Sequence, residues 1–248
     1  MDLGLKDKAC IVTGASRGIG AATATLLEQE GAQVLRVSRN SDDLRCDVTD
    51  PGAAELILGA CLERFGRVDV LVNNAGTSRA RALEDLTDED WHEQWELNVM
   101  APMRMMRAVA PRMAEAGEGR IVNVASSSGK RPSPRNAAYS VTKAAQLSLS
   151  RVFADRWVGS GVLVNAVAPG PVATPLWLAE GGLADQSAAQ AGITRDEALE
   201  QAAAKIPLGR LGSEDEIAGV ILFLCSRQAS NVTGAAWAVD GGAVQLMF

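Results

Sequence analysis

The sequence predicts an α/β fold in which a parallel, doubly wound sheet of seven strands carries helices on both faces. Short apolar runs alternate along the whole chain with longer segments of helical periodicity, which is the pattern of consecutive βαβ units. A glycine-rich stretch separates the first strand from the first helix. The 248 residues, 47% of them hydrophobic, have a globular composition without a break, so a single domain over 1–248 is predicted.

Each predicted strand is a short apolar run bounded by turn residues or charges. The runs are 8–13, 32–38, 44–48, 68–73, 120–125, 162–167 and 235–239. The fourth to seventh of these are separated by segments long enough for a crossover helix, which favours parallel neighbours.

The predicted helices begin at capping residues. Asp50 and Pro51 supply an N-cap and a first helical residue. Thr87 with Asp90, Thr194 with Glu197 and Ser213 with Glu216 have the spacing of capping boxes. The resulting helices are 18–30, one from Asp50 to about Phe65, one from Thr87 toward Met113 that bends near Pro102, 138–157, part of 172–206, and 214–225.

Small counts exclude several classes of protein. A single histidine, His92, rules out a metal site with two imidazoles from one chain, and no metal site is predicted. The four cysteines are scattered, which suits a reducing compartment, and we expect a cytoplasmic protein. With a net charge of −6, the chain lacks the overall basic character that is typical of proteins that bind nucleic acid. Neither a targeting segment nor a membrane span is visible, so no membrane partner is expected.

The first strand runs into a glycine turn, Thr13-Gly-Ala-Ser-Arg-Gly-Ile-Gly20, that opens a helix. Glycine allows a tight turn and a close approach of backbone to a pyrophosphate, and the helix N-terminus attracts that anion. A turn that merely joins two elements, or one that holds a methyl donor, has the same appearance. The turn therefore favours a nucleotide site without proving one.

Tyr139 and Lys143 are four residues apart on a predicted helix, and Ser126 follows the fifth strand. The pair shares a helix face, and Ser126 lies at the carboxyl edge of the sheet, where ligands of such folds bind. A neighbouring ammonium lowers the pKa of a phenol, which can then exchange a proton with a substrate oxygen held by the serine. Alone, the pair is also typical of a solvated amphipathic helix.

These motifs occur together in one family. Over essentially its full length the chain resembles the short-chain dehydrogenase/reductases, which have a single Rossmann-type domain. The likeness is carried by TGASRGIG (13–20), NNAG (73–76), Asn98, Ser126, the Tyr139–Lys143 spacing, Pro169-Gly170 and Asp240-Gly241-Gly242.

The resemblance implies a set of roles. Tyr139 would be the acid and base, Lys143 would bind the nicotinamide ribose and lower the pKa of Tyr139, Ser126 would hold the substrate oxygen, and Asn98 would keep a water in a proton relay. The remaining cofactor contacts that it implies are Gly14, Ser16, Arg17, Gly18, Ile19, Gly20, Ser38, Arg39, Asp47, Val48, Asn73, Ala75, Gly76, Pro169, Gly170, Val172 and Thr174.

The end of the second strand favours NADP(H), although NAD(H) is possible. An acidic residue there binds the ribose 2′-hydroxyl of NAD, but this chain has Ser38 followed by Arg39. Arg39 and Arg17 together can grip a 2′-phosphate. Asp42 and Asp43, in the short link that follows, argue against NADP(H), since either carboxylate can face the 2′ position of the ribose. The link is too short for the helix that many relatives place there.

The predicted function is hydride transfer between NADP(H) and a small carbonyl compound or secondary alcohol. A 3-oxoacyl thioester on an acyl carrier protein or coenzyme A is the alternative substrate, and a non-catalytic cofactor-binding regulator is the alternative class. The basic residues Lys130, Arg131 and Arg135 are candidates for an anionic substrate, and 172–206 for a substrate lid whose apolar inner surface contains Trp177, Leu178, Leu183 and Ile193. Family members pack helices between subunits, which implies a homotetramer or homodimer.

Overall fold

The computed structural model describes residues 2–245. Met1 and residues 246–248, which the predicted domain includes, lie outside the described residues. The described strands form one sheet of seven in the order β3-β2-β1-β4-β5-β6-β7, and every neighbouring pair is parallel. The strands are β1 Ala9–Thr13, β2 Gln33–Ser38, β3 Leu44–Arg45, β4 Val70–Asn73, β5 Gly119–Val124, β6 Val162–Pro169 and β7 Ala236–Val239.

Helices cover both faces of this sheet. They are α1 Gly18–Gln29, α2 Ala53–Phe65, α3 Asp88–Trp95, α4 Ala101–Glu115, α5 Ser127–Lys130, α6 Ala137–Trp157, α7 Pro175–Leu178, α8 Leu183–Ala191, α9 Arg195–Ala204 and α10 Glu214–Cys225. Short turns of helix at 83–85, 96–100, 134–136, 158–160 and 227–229 complete the described elements. The predicted fold class is confirmed.

Alternation along the strands builds the two layers of the core. Ile11 of β1 packs with α2, α4 and α6 on one face, whereas its neighbour Val12 packs with α1 and α10 on the other. Because both faces of a doubly wound sheet are buried, the central strands are apolar at nearly every position. The carboxyl ends of β1, β4, β5 and β6 meet at one edge, and this edge positions the site described below.

The prediction that Asp50 and Pro51 open a helix is wrong. Gly52 has a φ of +80°, and α2 begins after it, at Ala53. A left-handed residue cannot continue a right-handed helix, so Asp50 and Pro51 belong to a turn in which Ala53 N–H donates to the Asp50 carbonyl over 3.1 Å. The third strand is also shorter than predicted, with two residues instead of five.

The bend predicted near Pro102 is a single turn of π-helix over Glu96–Met100, between α3 and α4. Pro102 is the second residue of α4, and the helix continues into it from the π turn, since Met100 and Ala101 both have helical φ and ψ. The three predicted capping boxes, at Thr87, Thr194 and Ser213, are present with both of their hydrogen bonds. No helix separates β2 from β3, as predicted.

Within residues 2–245, none of the helices combines the length and the apolar character needed to cross a bilayer. All four cysteines are free thiols, three of them buried. Burial raises the pKa of Cys61 and of Cys225 to about 12, so both stay protonated and pack as small apolar side chains.

Candidate active site

The glycine turn after β1 is held in a conformation that requires its glycines. Gly14 and Gly18 have φ angles of +67° and +64°. A Cβ on Gly20 would lie 2.3 Å from Asn74 Nδ2 and 2.4 Å from the Gly14 carbonyl oxygen, so no larger residue fits there. A Cβ on Gly18, in contrast, would make only ordinary contacts, at 3.8 Å with Glu214 Oε1 of α10 and with the Thr174 side chain.

Asn74 and Thr13 fix this turn to β4. Asn74 Nδ2 donates to the carbonyl oxygens of Thr13, over 2.9 Å, and of Gly14, over 3.2 Å. Thr13 Oγ1 accepts from the N–H groups of Asn74 and Ala75. The Asn73–Gly76 stretch is therefore joined directly to the turn. Sequence analysis did not single out Asn74, although its place in the NNAG motif was a signal.

The N-terminus of α1 is free to bind an anion. Its N-cap, Arg17, makes no side-chain capping bond, and no acidic residue lies in the first turn. In α3, α9 and α10 a capping box and acidic residues occupy the same positions. The N–H groups and positive dipole end of α1 lie beside Gly18, and Glu214 of α10 brings one carboxylate oxygen to the same place. This arrangement fits the pyrophosphate of a dinucleotide.

At the end of β2, the Arg39 guanidinium is 78% exposed and lies 3.9 Å from an oxygen of Asp47. Ser38 is buried and accepts from the Asn40 N–H. Asp43, which the sequence left as a candidate for the 2′ position, instead accepts from the Arg36 N–H over 3.3 Å and pairs with Arg64. Asp42, the other acidic candidate, is exposed, so this corner presents both that carboxylate and the cation Arg39.

A small cavity continues from this corner toward the middle of the sheet. Its lining residues, from β1, β4, the segment after β3 and the start of α4, include Thr13, Val48, Asn73 and Ala75. Three of the predicted cofactor contacts therefore meet around one space. The Asn73 side chain is directed elsewhere, because its Nδ2 donates to Asn123 Oδ1 over 2.8 Å. The Nδ2 group of Asn73 is therefore engaged by Asn123 and does not serve a ligand in the cavity.

Ser126, Tyr139 and Lys143 converge at the carboxyl end of β5. Ser126 is the N-cap of α5, and its Oγ accepts from the Ser128 N–H over 3.1 Å. The Ser126 hydroxyl is close enough to Tyr139 to lower the pKa of the phenol. Lys143 lies one helical turn after Tyr139, with its Nζ 5.6 Å from the centre of the tyrosine ring. The helical spacing and the strand end thus bring together the three groups that the sequence predicted.

Burial dominates the proton affinities of this trio. It raises the pKa of Tyr139 above its usual value of 10.0, and the hydrogen bond with Ser126 opposes that rise. It lowers the pKa of Lys143 from 10.5 to about 7. Lys143 is 2% exposed, and its ammonium donates to the Val124 carbonyl and to Gln146 Oε1, both over 2.9 Å. Both shifts follow from the cost of burying charge.

The π turn places Asn98 beside Lys143. Asn98 is fully buried, and its Nδ2 donates to Gln94 Oε1 over 2.9 Å and to Thr142 Oγ1 over 3.1 Å. Its Oδ1 has no hydrogen-bond partner among the described residues. A Cβ on Gly76 would lie 3.4 Å from Asn98 Oδ1 and 3.6 Å from Lys143 Nζ. The space above Gly76 is therefore bordered by an unsatisfied acceptor and an ammonium.

The segment after β6 closes the other side of the turn. Thr174 is buried, and its side chain lies 3.8 Å from the Cβ position of Gly18. Gly170 has no room for a side chain, because a Cβ would lie 2.9 Å from the Asp240 backbone. Pro169 ends β6, and Val172 is buried where it bridges to Gly212. Thr174 is thus the residue of this segment nearest to the glycine turn.

The helices α7, α8 and α9 form the predicted lid segment, but its inner surface differs from the expectation. Leu178 is 39% exposed, whereas Ala184, Ala188 and Ala198 are buried. Trp177, Leu183 and Ile193 are partly buried, so Leu178 is the exposed one of the four residues predicted for this surface. Gln186 of α8 accepts from the Ala80 N–H over 2.9 Å, which joins the lid to the loop after β4.

The cleft beside Tyr139 is lined by residues that the sequence analysis did not select. They come from the loop after β4, from α3 and from the start of α6: Arg79, Arg81, Leu86, Asp90, Glu93, Gln94, Asn136 and Ala138. Arg81 pairs with Asp90. In contrast, Lys130 donates to the Ala236 carbonyl and Arg131 to the Ala243 carbonyl. Those two cations therefore tie α5 to the C-terminal segment and do not face the cleft.

Comparison with known proteins agrees with this geometry. A family model described as enoyl-(acyl carrier protein) reductase matches residues 14–244. The 3-oxoacyl-[acyl-carrier-protein] reductase FabG of Thermotoga maritima is 34% identical over 97% of this chain and 99% of its own. The D-threitol dehydrogenase of Mycolicibacterium smegmatis is 34% identical over 97% of this chain and 94% of its own.

A solved structure has nearly the same fold. The L-sorbose reductase of Gluconobacter frateurii, in complex with NADPH and L-sorbose, superposes with a TM-score of 0.91 at 32% identity, and the match covers 100% of both chains. The chain belongs to the short-chain dehydrogenase/reductase family. It is an oxidoreductase that transfers a hydride between a nicotinamide cofactor and a carbonyl or secondary-alcohol substrate.

Proposed function

We propose that this protein reduces a small carbonyl compound with NADPH, or oxidises the corresponding secondary alcohol with NADP, with Tyr139 as the acid and base. One observation carries the proposal: Ser126, Tyr139 and Lys143 meet at the sheet edge, where Ser126 lowers the pKa of the tyrosine and the Lys143 ammonium lies 5.6 Å from the centre of the tyrosine ring. A phenol in such a setting can donate a proton to a carbonyl oxygen and accept it back.

Each residue then has a distinct task in reduction. The nicotinamide, when bound, supplies the hydride to the carbonyl carbon. Ser126 donates a hydrogen bond to the carbonyl oxygen, and Tyr139 gives that oxygen its proton. Lys143 binds the ribose hydroxyls and, while it is an ammonium, favours the ionised form of Tyr139 against the rise in pKa that burial causes. Asn98 holds a water in the space above Gly76, through which the proton of Tyr139 is replaced by way of Lys143.

The cofactor is proposed to lie along the carboxyl edge of the sheet. Its pyrophosphate lies against the glycine turn and the N-terminus of α1. The proposed contacts are Gly14, Ser16, Arg17, Gly18, Ile19, Gly20, Ser38, Arg39, Asp47, Val48, Asn73, Ala75, Gly76, Tyr139, Lys143, Pro169, Gly170, Val172 and Thr174. NADP(H) is preferred because the exposed Arg39 follows Ser38, while Asp43 is engaged by Arg36 and Arg64.

A 3-oxoacyl thioester is the second candidate substrate. The full-length similarity to the 3-oxoacyl-[acyl-carrier-protein] reductases of Thermotoga maritima and of Escherichia coli, the latter 35% identical, supports it. The similarity to D-threitol dehydrogenase and L-sorbose reductase supports a polyol or ketose equally well. In both cases the reacting group is a ketone or secondary alcohol, so the proposed chemistry at Tyr139 is the same.

We further propose one domain, with 172–206 as the substrate lid, and a cytoplasmic homotetramer or homodimer that assembles through α4 and α6. Val141 and Val152 of α6 support this assembly, since they are large apolar side chains left 45% and 60% exposed. Size-exclusion chromatography with light scattering tests it. A monomer at micromolar concentration would contradict the proposed assembly.

A substrate screen tests the proposed function. Purified protein and NADPH are incubated with simple ketones, ketoses, quinones and 3-oxoacyl thioesters, and oxidation of NADPH is followed. Turnover of at least one ketone is expected, and it must be lost in Tyr139→Phe. If NADPH binds but no class is reduced, the protein is instead a cofactor-binding regulator.

A further inference from the structure

A chain of buried polar side chains runs from the ammonium of Lys143 into the middle of the protein. Lys143 donates to Gln146 Oε1, and Ser150 Oγ donates to the Gln146 carbonyl, both over 2.9 Å. Asn123 of β5 donates to Ser150 Oγ over 2.8 Å, and Asn73 of β4 donates to Asn123 Oδ1 over the same distance. All five residues are buried.

Gln146 provides one of the two oxygen acceptors that the described residues offer to this ammonium. The other is the Val124 carbonyl, which belongs to the backbone of β5. Gln146 is only 2% exposed, so neither partner is accessible to bulk water. The remaining direction at Nζ leads toward Gly76 and Asn98. A buried ammonium depends on such acceptors, because burial penalises its charge and a hydrogen bond to the charged form compensates.

Carboxylates do not share this task. Burial is the cause of the lowered pKa of Lys143, with no contribution from a neighbouring charge. Of the acidic side chains on the packed α3 and π turn, Asp90 is bound by Arg81 and Thr87, Glu96 pairs with Arg104, and Glu93 is exposed. Tyr139 is the titratable group that faces Lys143 directly, and it is neutral below its raised pKa. The neutral amide of Gln146 is therefore the side chain that compensates the charge.

We propose that Gln146 is a positioning residue for Lys143: its amide oxygen keeps the lysine charged and holds the ammonium beside Tyr139 and the space above Gly76. The proposal rests on the proposed role of Lys143 in binding the ribose and tuning Tyr139. Gln146 lies three positions after Lys143 on α6. It contacts neither cofactor nor substrate and acts through the lysine.

The titration of Lys143 in the cofactor-free enzyme tests this proposal directly. The chain contains five lysines, so NMR spectra of enzyme labelled with carbon-13 lysine are simple, and Lys143→Met assigns the signal of Lys143. Gln146→Met keeps the size of the side chain and removes the acceptor. We expect it to lower the titration midpoint of Lys143 by about one pH unit, the usual size of one hydrogen bond to a charged group.

Two further variants separate positioning from a general loss of stability. Gln146→Glu keeps an oxygen at the same place and adds a negative charge, so the midpoint must rise. Ser150→Ala removes two hydrogen bonds from the same buried chain, to Asn123 and to the Gln146 carbonyl, but leaves the side-chain contact between Gln146 and Lys143 intact. It is expected to lower the melting temperature and to leave the midpoint within about 0.3 pH unit of the wild-type value.

The kinetic consequence is a second readout. At alkaline pH, kcat/KM for NADPH is expected to fall as Lys143 loses its charge. Gln146→Met must move this fall to lower pH, and Gln146→Glu must move it back to higher pH. Unchanged midpoints in both Gln146 variants would overturn the proposal. If Gln146→Met does not fold, the direction of the shift in Gln146→Glu decides. The NMR titration needs neither cofactor nor substrate. Its result therefore tests the role of Gln146 separately from the proposed reaction.

Discussion

The Nζ atom of Lys143 lies 5.6 Å from the centre of the Tyr139 ring, over its face, and both residues are on α6. The lysine is charged only below its lowered pKa of about 7, and the tyrosine is neutral below its raised pKa. At neutral pH the cofactor-free site therefore contains a neutral phenol beside an ammonium close to its midpoint. Small changes around Lys143 will alter the proton affinity of Tyr139, and the predictions below begin from this pair.

Tyr139→Phe should abolish turnover and leave NADPH binding nearly unchanged. The substitution removes the proposed proton donor but keeps the ring beside Lys143, so kcat is expected to fall by a factor of about 10² to 10⁴. Steady-state kinetics measures the loss, and quenching of tryptophan fluorescence measures NADPH affinity. Residual activity within tenfold of the wild type would mean that another group supplies the proton.

The stability of the protein should rise with pH above neutrality because of Lys143. The pKa of this lysine is about 7 in the folded protein and 10.5 in an unfolded chain, so between these values the unfolded state binds the extra proton. The unfolding free energy therefore increases with pH there, by at most about 1.4 kcal/mol per pH unit from this group.

Lys143→Met supplies the comparison for that prediction. Its buried side chain does not titrate, so the stability of the wild type relative to this variant should improve from about pH 7 to about pH 9. Chemical denaturation at several pH values measures the difference. Parallel curves for the two proteins would show that Lys143 keeps an ordinary pKa.

Arg39→Ala should weaken NADPH and spare NADH. A charge-assisted hydrogen bond to the 2′-phosphate contributes about 1.5–3 kcal/mol, so Kd for NADPH should rise roughly ten- to hundredfold while Kd for NADH changes little. Arg112→Ala is the control, since it removes an exposed arginine that pairs with Glu115 far from the glycine turn. Equal losses for both cofactors in Arg39→Ala would argue against a 2′-phosphate contact.

Gly20→Ala should open the glycine turn. The added Cβ would lie 2.3 Å from Asn74 Nδ2 and 2.4 Å from the Gly14 oxygen, so the contacts that fix the turn must break. We expect a loss of about 1–3 kcal/mol in stability and at least a tenfold loss in NADPH affinity. Calorimetric melting and fluorescence titration measure the two effects.

Gly59→Ala is the matched control for that substitution. Gly59 lies inside α2 with no atom within 4 Å of its Cβ position. The same change there should raise stability by about 0.5–1 kcal/mol, because alanine favours the helix, and should leave NADPH binding unaltered. If Gly20→Ala behaves like Gly59→Ala, the turn has more room than the structure indicates.

The sequence by itself determined the fold class, because the features that encode it are local. Alternating apolar runs and helical periodicity predict the parallel sheet, and the capping boxes at Thr87, Thr194 and Ser213 marked three helix starts correctly. The four-residue spacing of Tyr139 and Lys143 fixes their common face on α6. The failure at Asp50 and Pro51 arose from Gly52, whose left-handed φ depends on the turn around it.

Only the tertiary structure decided what surrounds these groups. The spacing of Lys143 and Gln146 shows that they share a helix face, but not that this face is buried against β5 and that the amide becomes the acceptor of the ammonium. The contacts between Asn74 and the glycine turn and between Asn98 and Thr142 join residues 44 to 61 positions apart. Such contacts depend on strand register and helix packing, which periodicity does not contain.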